Sequence, residues 1–297
     1  MYIGSAFFLY LATVCASVLT ITLNSSILIR KFTDRRFMSN SQLEMQFYCI
    51  FFYLIFAVSS FFHSGYMVYA LRDPNRNHDF IFWSGTLVFS LEHVIGLGNT
   101  FVALDRLLAM QSPVKYNQLY GKVLQRLYLA IVPMAIAITV VIYSISKEMK
   151  APGLMFGHHV NLQVIFALNL LNSAACIGNI LLTVVFLIRF ISFLKRQSQG
   201  INNYNFNSIK KANQIVIYQM LLEAVLIIAP MVGTAVVQYG FNLNVPNIVG
   251  SYPLLLLVLY TSCCSVLYTV KLNRAYGNQV TTTAKTNAGV SIVPVHT

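Results

Sequence analysis

Glu92, Asp105, Arg106 and Glu223 stand inside stretches that are otherwise apolar. A charge so placed is costly and marks a ligand contact, a polar path or a switch by default. Asp105 and Arg106 lie in the run Ala103-Leu104-Asp105-Arg106-Leu107-Leu108-Ala109-Met110, followed by Pro113 and Tyr116. An adjacent acid and base at a helix end either hold each other or free the arginine for a neighbouring helix, which makes a contact with two arrangements. The competing reading is an interfacial anchor, because an arginine at a helix end snorkels toward water. The pair by itself supports both equally.

Glu92 precedes Arg106 by 14 residues, about 21 Å along a helix axis. It reads either as a ligand contact or polar switch, or as a hydrogen-bonded tie between helices. His93 follows it but points about 100° away. Glu223 lies seven residues before Pro230, on the same helix face. Its expected partner is Tyr268 or Asn179, in a bond that either changes on activation or stays static.

Catalysis finds little support. The sequence has no His/Asp/Glu cluster at metal-ligand spacing and no paired catalytic carboxylates. The adjacent His158 and His159 lack further ligands and read as a solvated loop. No enzyme, cofactor or metal is expected, and the last apolar stretch has no interior lysine to carry retinal, Lys271 being at its end.

These residues are positioned by an unusual composition. Of 297 residues, 57% are hydrophobic and 9% charged, whereas a soluble domain carries about a quarter charged residues. Such a surface suits lipid. A spanning helix needs roughly 20 apolar residues, since hydrocarbon satisfies no free backbone amide. Seven stretches qualify, at residues 3–29, 45–71, 80–110, 127–146, 162–194, 212–239 and 248–270. Pro133, Pro230 and Pro253 fall inside three of them and predict kinks supported by neighbouring helices. The expected fold is an all-α membrane protein, a seven-transmembrane helix bundle over residues 1–275 with a disordered cytoplasmic tail at 276–297.

Charge fixes the expected orientation. Sixteen of the twenty Lys and Arg fall on one side, in alternate connections, the adjoining span ends and the tail, including Arg30, Lys31, Lys115, Lys122, Arg126, Lys195, Arg196 and Arg274. The other side has only Arg72, Arg76, Lys147 and Lys150. Positive-inside bias puts the rich side in the cytoplasm and the N-terminus outside. The net charge of +12 therefore reads as juxtamembrane anchoring, with no nucleic-acid partner. Cys15, Cys49, Cys176, Cys263 and Cys264 all belong to apolar segments, so a disulfide framework is not expected. No duplicated half is visible, against many transporter designs. The polar and aromatic set Ser64, Tyr66, Tyr69, Trp83, Asn161, Gln163, Gln238 and Tyr239 fits either a small-molecule cavity or an interfacial aromatic belt. The sequon Asn24-Ser25-Ser26 is buried in the first span and is not expected to carry sugar.

With seven spans, Asp105-Arg106 resembles the first two positions of the Asp-Arg-Tyr signature of rhodopsin-like G-protein-coupled receptors, with Leu107 in place of the tyrosine. Pro113 fits the following loop, Asn24 resembles the polar asparagine of the first span, and Pro230 lies where the sixth span is kinked. Tyr268 matches the tyrosine of the seventh-span Asn-Pro-x-x-Tyr motif, while Cys264 and Ser265 replace its Asn-Pro. The second span lacks the family's aspartate, the loops lack its cysteines, and the sixth span lacks its tryptophan. This degenerate pattern with short loops is similar to the nematode serpentine chemoreceptors, without singling out a subfamily.

The resemblance implies a chemosensory receptor in the plasma membrane, in sensory neurons that of the cilium. It implies a small-molecule ligand and a heterotrimeric G protein as partners. Asp105, Arg106, Pro230 and Tyr268 would form the activation switch, with Glu92, Glu223 and Asn24 as ligand or polar-switch candidates. The competing function is a seven-span ligand-gated channel or transporter, for which the intramembrane charges make a thin path.

Overall fold

The computed structural model describes residues 3–33, 44–148, 156–197, 204–241 and 252–288. Seven helices in it are long and apolar enough to cross a membrane. The first three spans are Ile3–Thr33, Glu44–Ala70 and His78–Gln111. The fourth is Gly121–Ile145, entered through a short turn at Pro113–Lys115 and a π-helical turn at Tyr116–Tyr120. The fifth is Leu162–Gln197. The sixth is built from Tyr204–Glu223, a π-helical turn at Ala224–Ile228, and Ala229–Phe241. The seventh is Tyr252–Ala288.

The outer surface is apolar, and the interior mixes apolar side chains with polar ones. Phe8, Phe62, Leu170, Leu181 and Val225 are exposed, while Thr20, Asn24, Ser64, Asn99, Gln219 and Ser265 are buried. That distribution suits a solvent as apolar as leucine, where helices are joined by small residues and hydrogen bonds. Many hydroxyls bond back into their own helix, as Thr139 Oγ1 does to Ala135 O at 2.6 Å and Ser265 Oγ to Thr261 O at 2.7 Å. Thr20 and Ser262 join the first and seventh spans at 2.6 Å.

The third span sits at the centre, against the second, fourth, fifth and sixth, while the seventh closes the ring onto the first. One end of the bundle carries Arg30, Lys31, Arg106 and Lys115 and is called the basic end below.

The prolines behave differently from one another. Pro230 has no N–H to give a residue four back, and the helix widens just before it: the Ala229 N–H bonds Ala224 O across the π turn. Pro253 lies in the first turn of its helix, where an N–H would have no partner, so it starts the helix instead of kinking it. The seventh helix also runs on to Ala288, into the stretch read from sequence as a disordered tail. Residues 289–297 lie outside the described residues, as do residues 242–251, with the expected start of the seventh span at residue 248.

Candidate functional site

At the basic end the third span stops where Ser112 N–H bonds Leu108 O at 3.0 Å, and Pro113 opens the next turn. That turn returns Tyr116 to the helix it left. Asp105 and Arg106 are both fully buried. Arg106 Nε donates to Asp105 Oδ2 at 3.0 Å, and Nη2 donates to the same oxygen. Tyr116 Oη donates to Asp105 Oδ1 at 2.7 Å and accepts from Arg106 Nη2 at 3.3 Å. Gly121 makes room for this ring, since a Cβ there would come within 3.2 Å of Tyr116 Cζ.

The three side chains form a closed lock, not an arginine reaching to another span. Burial also argues against the anchor reading, because a snorkelling arginine would reach water. One donor is left over: Arg106 Nη1 is buried without a partner. Breaking such a pair leaves a buried charge uncompensated, which costs about 3–5 kcal/mol.

A second polar cluster crosses the middle of the bundle. Tyr53 Oη of the second span donates to Asn99 Oδ1 of the third at 2.7 Å, and Asn99 Nδ2 donates to Tyr260 Oη of the seventh at 2.8 Å. Gln219 of the sixth span is its hub. Its Nε2 reaches Asn99 Oδ1 at 2.9 Å and Tyr53 Oη at 3.1 Å, and its Oε1 accepts from Tyr268 Oη at 2.7 Å. Tyr268 also lies within electrostatic reach of Arg106, which brings the cluster close to the lock.

One turn beyond Gln219, Glu223 accepts from Asn179 Nδ2 of the fifth span at 2.5 Å. Of the two partners expected for Glu223, Asn179 is the one bonded, while Tyr268 pairs with Gln219. Glu223 is followed directly by the π turn before Pro230.

Glu92 stands apart from both clusters. Its Oε2 is buried without a partner, as is Nε2 of neighbouring His93. Asn24 is fully buried in the first span, and neither its Oδ1 nor its Nδ2 has a partner.

The polar and aromatic set at the end opposite the lock divides. Tyr69 and Trp83 are exposed, as an aromatic belt requires, whereas Ser64 is buried. Tyr66 Oη accepts from Asn77 N–H at 2.7 Å and so pins a connection. Asn161 and Gln163 line a cleft of about 290 Å³ with Ser146, Lys147 and Glu148. The side chains of Gln238 and Tyr239 lie outside the described residues. Deeper in the bundle, Tyr53, Leu91, Val94 and Tyr128 enclose only about 10 Å³, room for one water. Among the described residues no group of three or more His, Cys, Asp or Glu side chains could hold a metal ion.

Sequence reading passed over Tyr53, Asn99, Gln219 and Tyr260. The signal was periodic. Glu92, Asn99 and Arg106 recur every seven residues, Gln219 and Glu223 are four apart, and Tyr260, Cys264 and Tyr268 share one face.

The family model described as "Serpentine type 7TM GPCR chemoreceptor Srbc" matches residues 2–150, which contain the first four spans and the whole lock. No curated protein matches the chain.

Proposed function

The chain belongs to the Srbc family of serpentine seven-transmembrane chemoreceptors, and on that premise we propose that it converts small-molecule binding into activation of a heterotrimeric G protein. In this reading the basic end faces the cytoplasm, which the Lys and Arg asymmetry supports, and the opposite end faces the ligand. The receptor sits in the plasma membrane, in a sensory neuron that of the cilium.

The observation that carries this reading is the buried lock of Asp105, Arg106 and Tyr116, with Arg106 Nη1 unpartnered. Closed, it holds the arginine away from the basic surface. Opened, it gives a docking G protein a guanidinium with five donors. The sixth span supplies the movement. Its π turn and Pro230 are a weak point in the helix, placed beside Glu223 and one turn beyond the hub Gln219. Binding that favours another packing of this span would pull Gln219 away from Tyr268 and so act on the lock, as a shift between two populations.

The test is Arg106→Ala in cells reporting calcium or cyclic nucleotide during a ligand screen. The ligand-evoked signal, normalised to the surface expression that the broken pair lowers, should disappear. Unchanged coupling overturns the role of Arg106. A ligand-gated current that persists with G proteins blocked favours a channel instead.

A further inference from the structure

Phe156 opens a single 3-10 turn, Phe156–His158, between the fourth and fifth spans. Its ring is only 7% exposed and enters the bundle at the end opposite the lock. It stacks on Phe89 at 4.8 Å between ring centres and 21° between planes, and on Phe82 at 6.1 Å and 26°. Tyr143 meets it edge-on at 5.2 Å, and Val160 and Leu168 complete the cluster.

The box is shaped for a flat ring. Phe82, Gly85 and Phe89 follow one another on one face of the third span, and a Cβ on Gly85 would fall 2.5 Å from Phe156 Cδ2. Only glycine leaves this space. The strand-like pairing of Lys147 with Val160, the Glu148 N–H bond to His159 O at 2.9 Å and the Asn161 N–H bond to Ser146 O at 3.0 Å hold the turn in place.

The groups next to the box are ones a phenyl ring cannot use. Glu92 continues the same face, seven residues after Gly85. Tyr143 joins it to the box: its ring contacts Phe156, lies 6.4 Å from His93, and is within electrostatic reach of Glu92. Glu92 Oε2 and His93 Nε2 are buried and unpartnered. His93 Nδ1 lies 2.5 Å from Phe89 O. A carbonyl only accepts, so Nδ1 carries the proton and Nε2 of the neutral ring is an acceptor. Glu92, once ionised, and a neutral His93 would offer two acceptors beside an aromatic box, and a primary ammonium supplies three donors together with the counter-charge that a buried carboxylate needs.

We propose that the Phe156 box is the receptor's ligand site, that it takes a small aromatic primary amine, and that Phe156 is a tethered stand-in which the ligand displaces. The ligand ring replaces the Phe156 ring between Phe82, Phe89 and Tyr143, and its ammonium bonds Glu92 and His93. This assignment rests on the chemoreceptor reading for its purpose but not for its chemistry.

The test uses the full-length receptor in lipid nanodiscs with benzylamine as probe and benzyl alcohol as its uncharged counterpart. Trp83, the chain's only tryptophan, lies 5.1 Å from Phe82 and reports binding by fluorescence. Phe156→Ala should bind benzylamine at least ten-fold more tightly than the wild type and ten-fold more tightly than benzyl alcohol. Adding Glu92→Gln should lower benzylamine affinity about ten-fold, to that of benzyl alcohol, and so erase the preference for the amine. Should Phe156→Ala fail to fold, Phe156→Leu gives the same order with smaller differences. Binding no tighter than wild type, or an amine preference that survives Glu92→Gln, overturns the site. A screened ligand that signals equally through wild type and the Phe156→Ala, Glu92→Gln double variant also overturns it, while the receptor reading stands. Benzylamine binding as expected upholds the site even if Arg106→Ala refutes the coupling mechanism.

Discussion

Tyr116 donates its hydroxyl to Asp105 Oδ1 at 2.7 Å, so the acid is held by Arg106 on its own helix and by Tyr116 from the start of the next. Leu107 brings no hydroxyl to the pair; Tyr116 does, and the π turn that begins there and the bare Cα of Gly121 let its ring fit. The Asp105–Arg106 contact is thereby coupled to the geometry of the connection between the third and fourth spans.

Tyr116→Phe should raise ligand-independent signalling. A hydrogen bond to a charged group is worth about 1.5–3 kcal/mol, so its loss from the closed state alone shifts the closed-to-open ratio by roughly ten-fold or more. Basal reporter output, normalised to surface expression, measures this. Output at the wild-type level would remove Tyr116 from the switch.

Gln219→Leu should loosen the whole bundle. Three interspan hydrogen bonds are lost, to Asn99, Tyr53 and Tyr268. Such bonds average about 0.6 kcal/mol each in membranes, so a total near 2 kcal/mol is expected. A lower melting temperature in detergent checks it. A variant that melts like the wild type would show that the Tyr53, Asn99 and Tyr260 bonds hold without the hub.

Pro230→Ala restores the N–H that the sixth span lacks, and the π turn should tighten to α-helix. The protein should fold as before and answer ligand less strongly, with slower amide exchange over residues 224–230. Pro253→Ala is the control. In the first turn of its helix it should change neither stability nor response.

Gly85→Ala should destabilise the receptor by about 1–3 kcal/mol through overpacking, because the new methyl meets the Phe156 ring. Gly96, on the same helix, has nothing within 4 Å of an added Cβ, and Gly96→Ala should be tolerated. Thermal melts of the pair decide whether crowding or mere loss of a helical glycine matters.

The spans were readable because hydrocarbon leaves so little choice: each needs one long apolar run, and seven were present. The lock was half readable. Asp105 and Arg106 declared themselves as charges in apolar sequence, but Tyr116 becomes a partner only through the path of a turn. Glu223 was conspicuous for the same reason, and its partner Asn179 was one of two candidates. Gln219 and Asn99 escaped notice because an uncharged amide changes local hydropathy little. Their placement depends on which faces meet at the centre of the bundle. Phe156 could not be found at all, since its meaning comes from Gly85, some seventy residues earlier, and not from its own neighbourhood.

The Phe156 anchor bears on how this receptor can diversify. A covalent staple is all or nothing: it needs two cysteines together and vanishes when either is changed. A ring packed in a box is graded. An apolar side chain of similar volume, such as methionine, can replace phenylalanine for roughly 1.5 kcal/mol or less, and each exchange reshapes the box by a few atoms. Phe82, Phe89 and Tyr143 are adjustable in the same way. A lineage carrying this design can therefore change the shape of the box by single substitutions, in small steps and not by losing the anchor at a stroke.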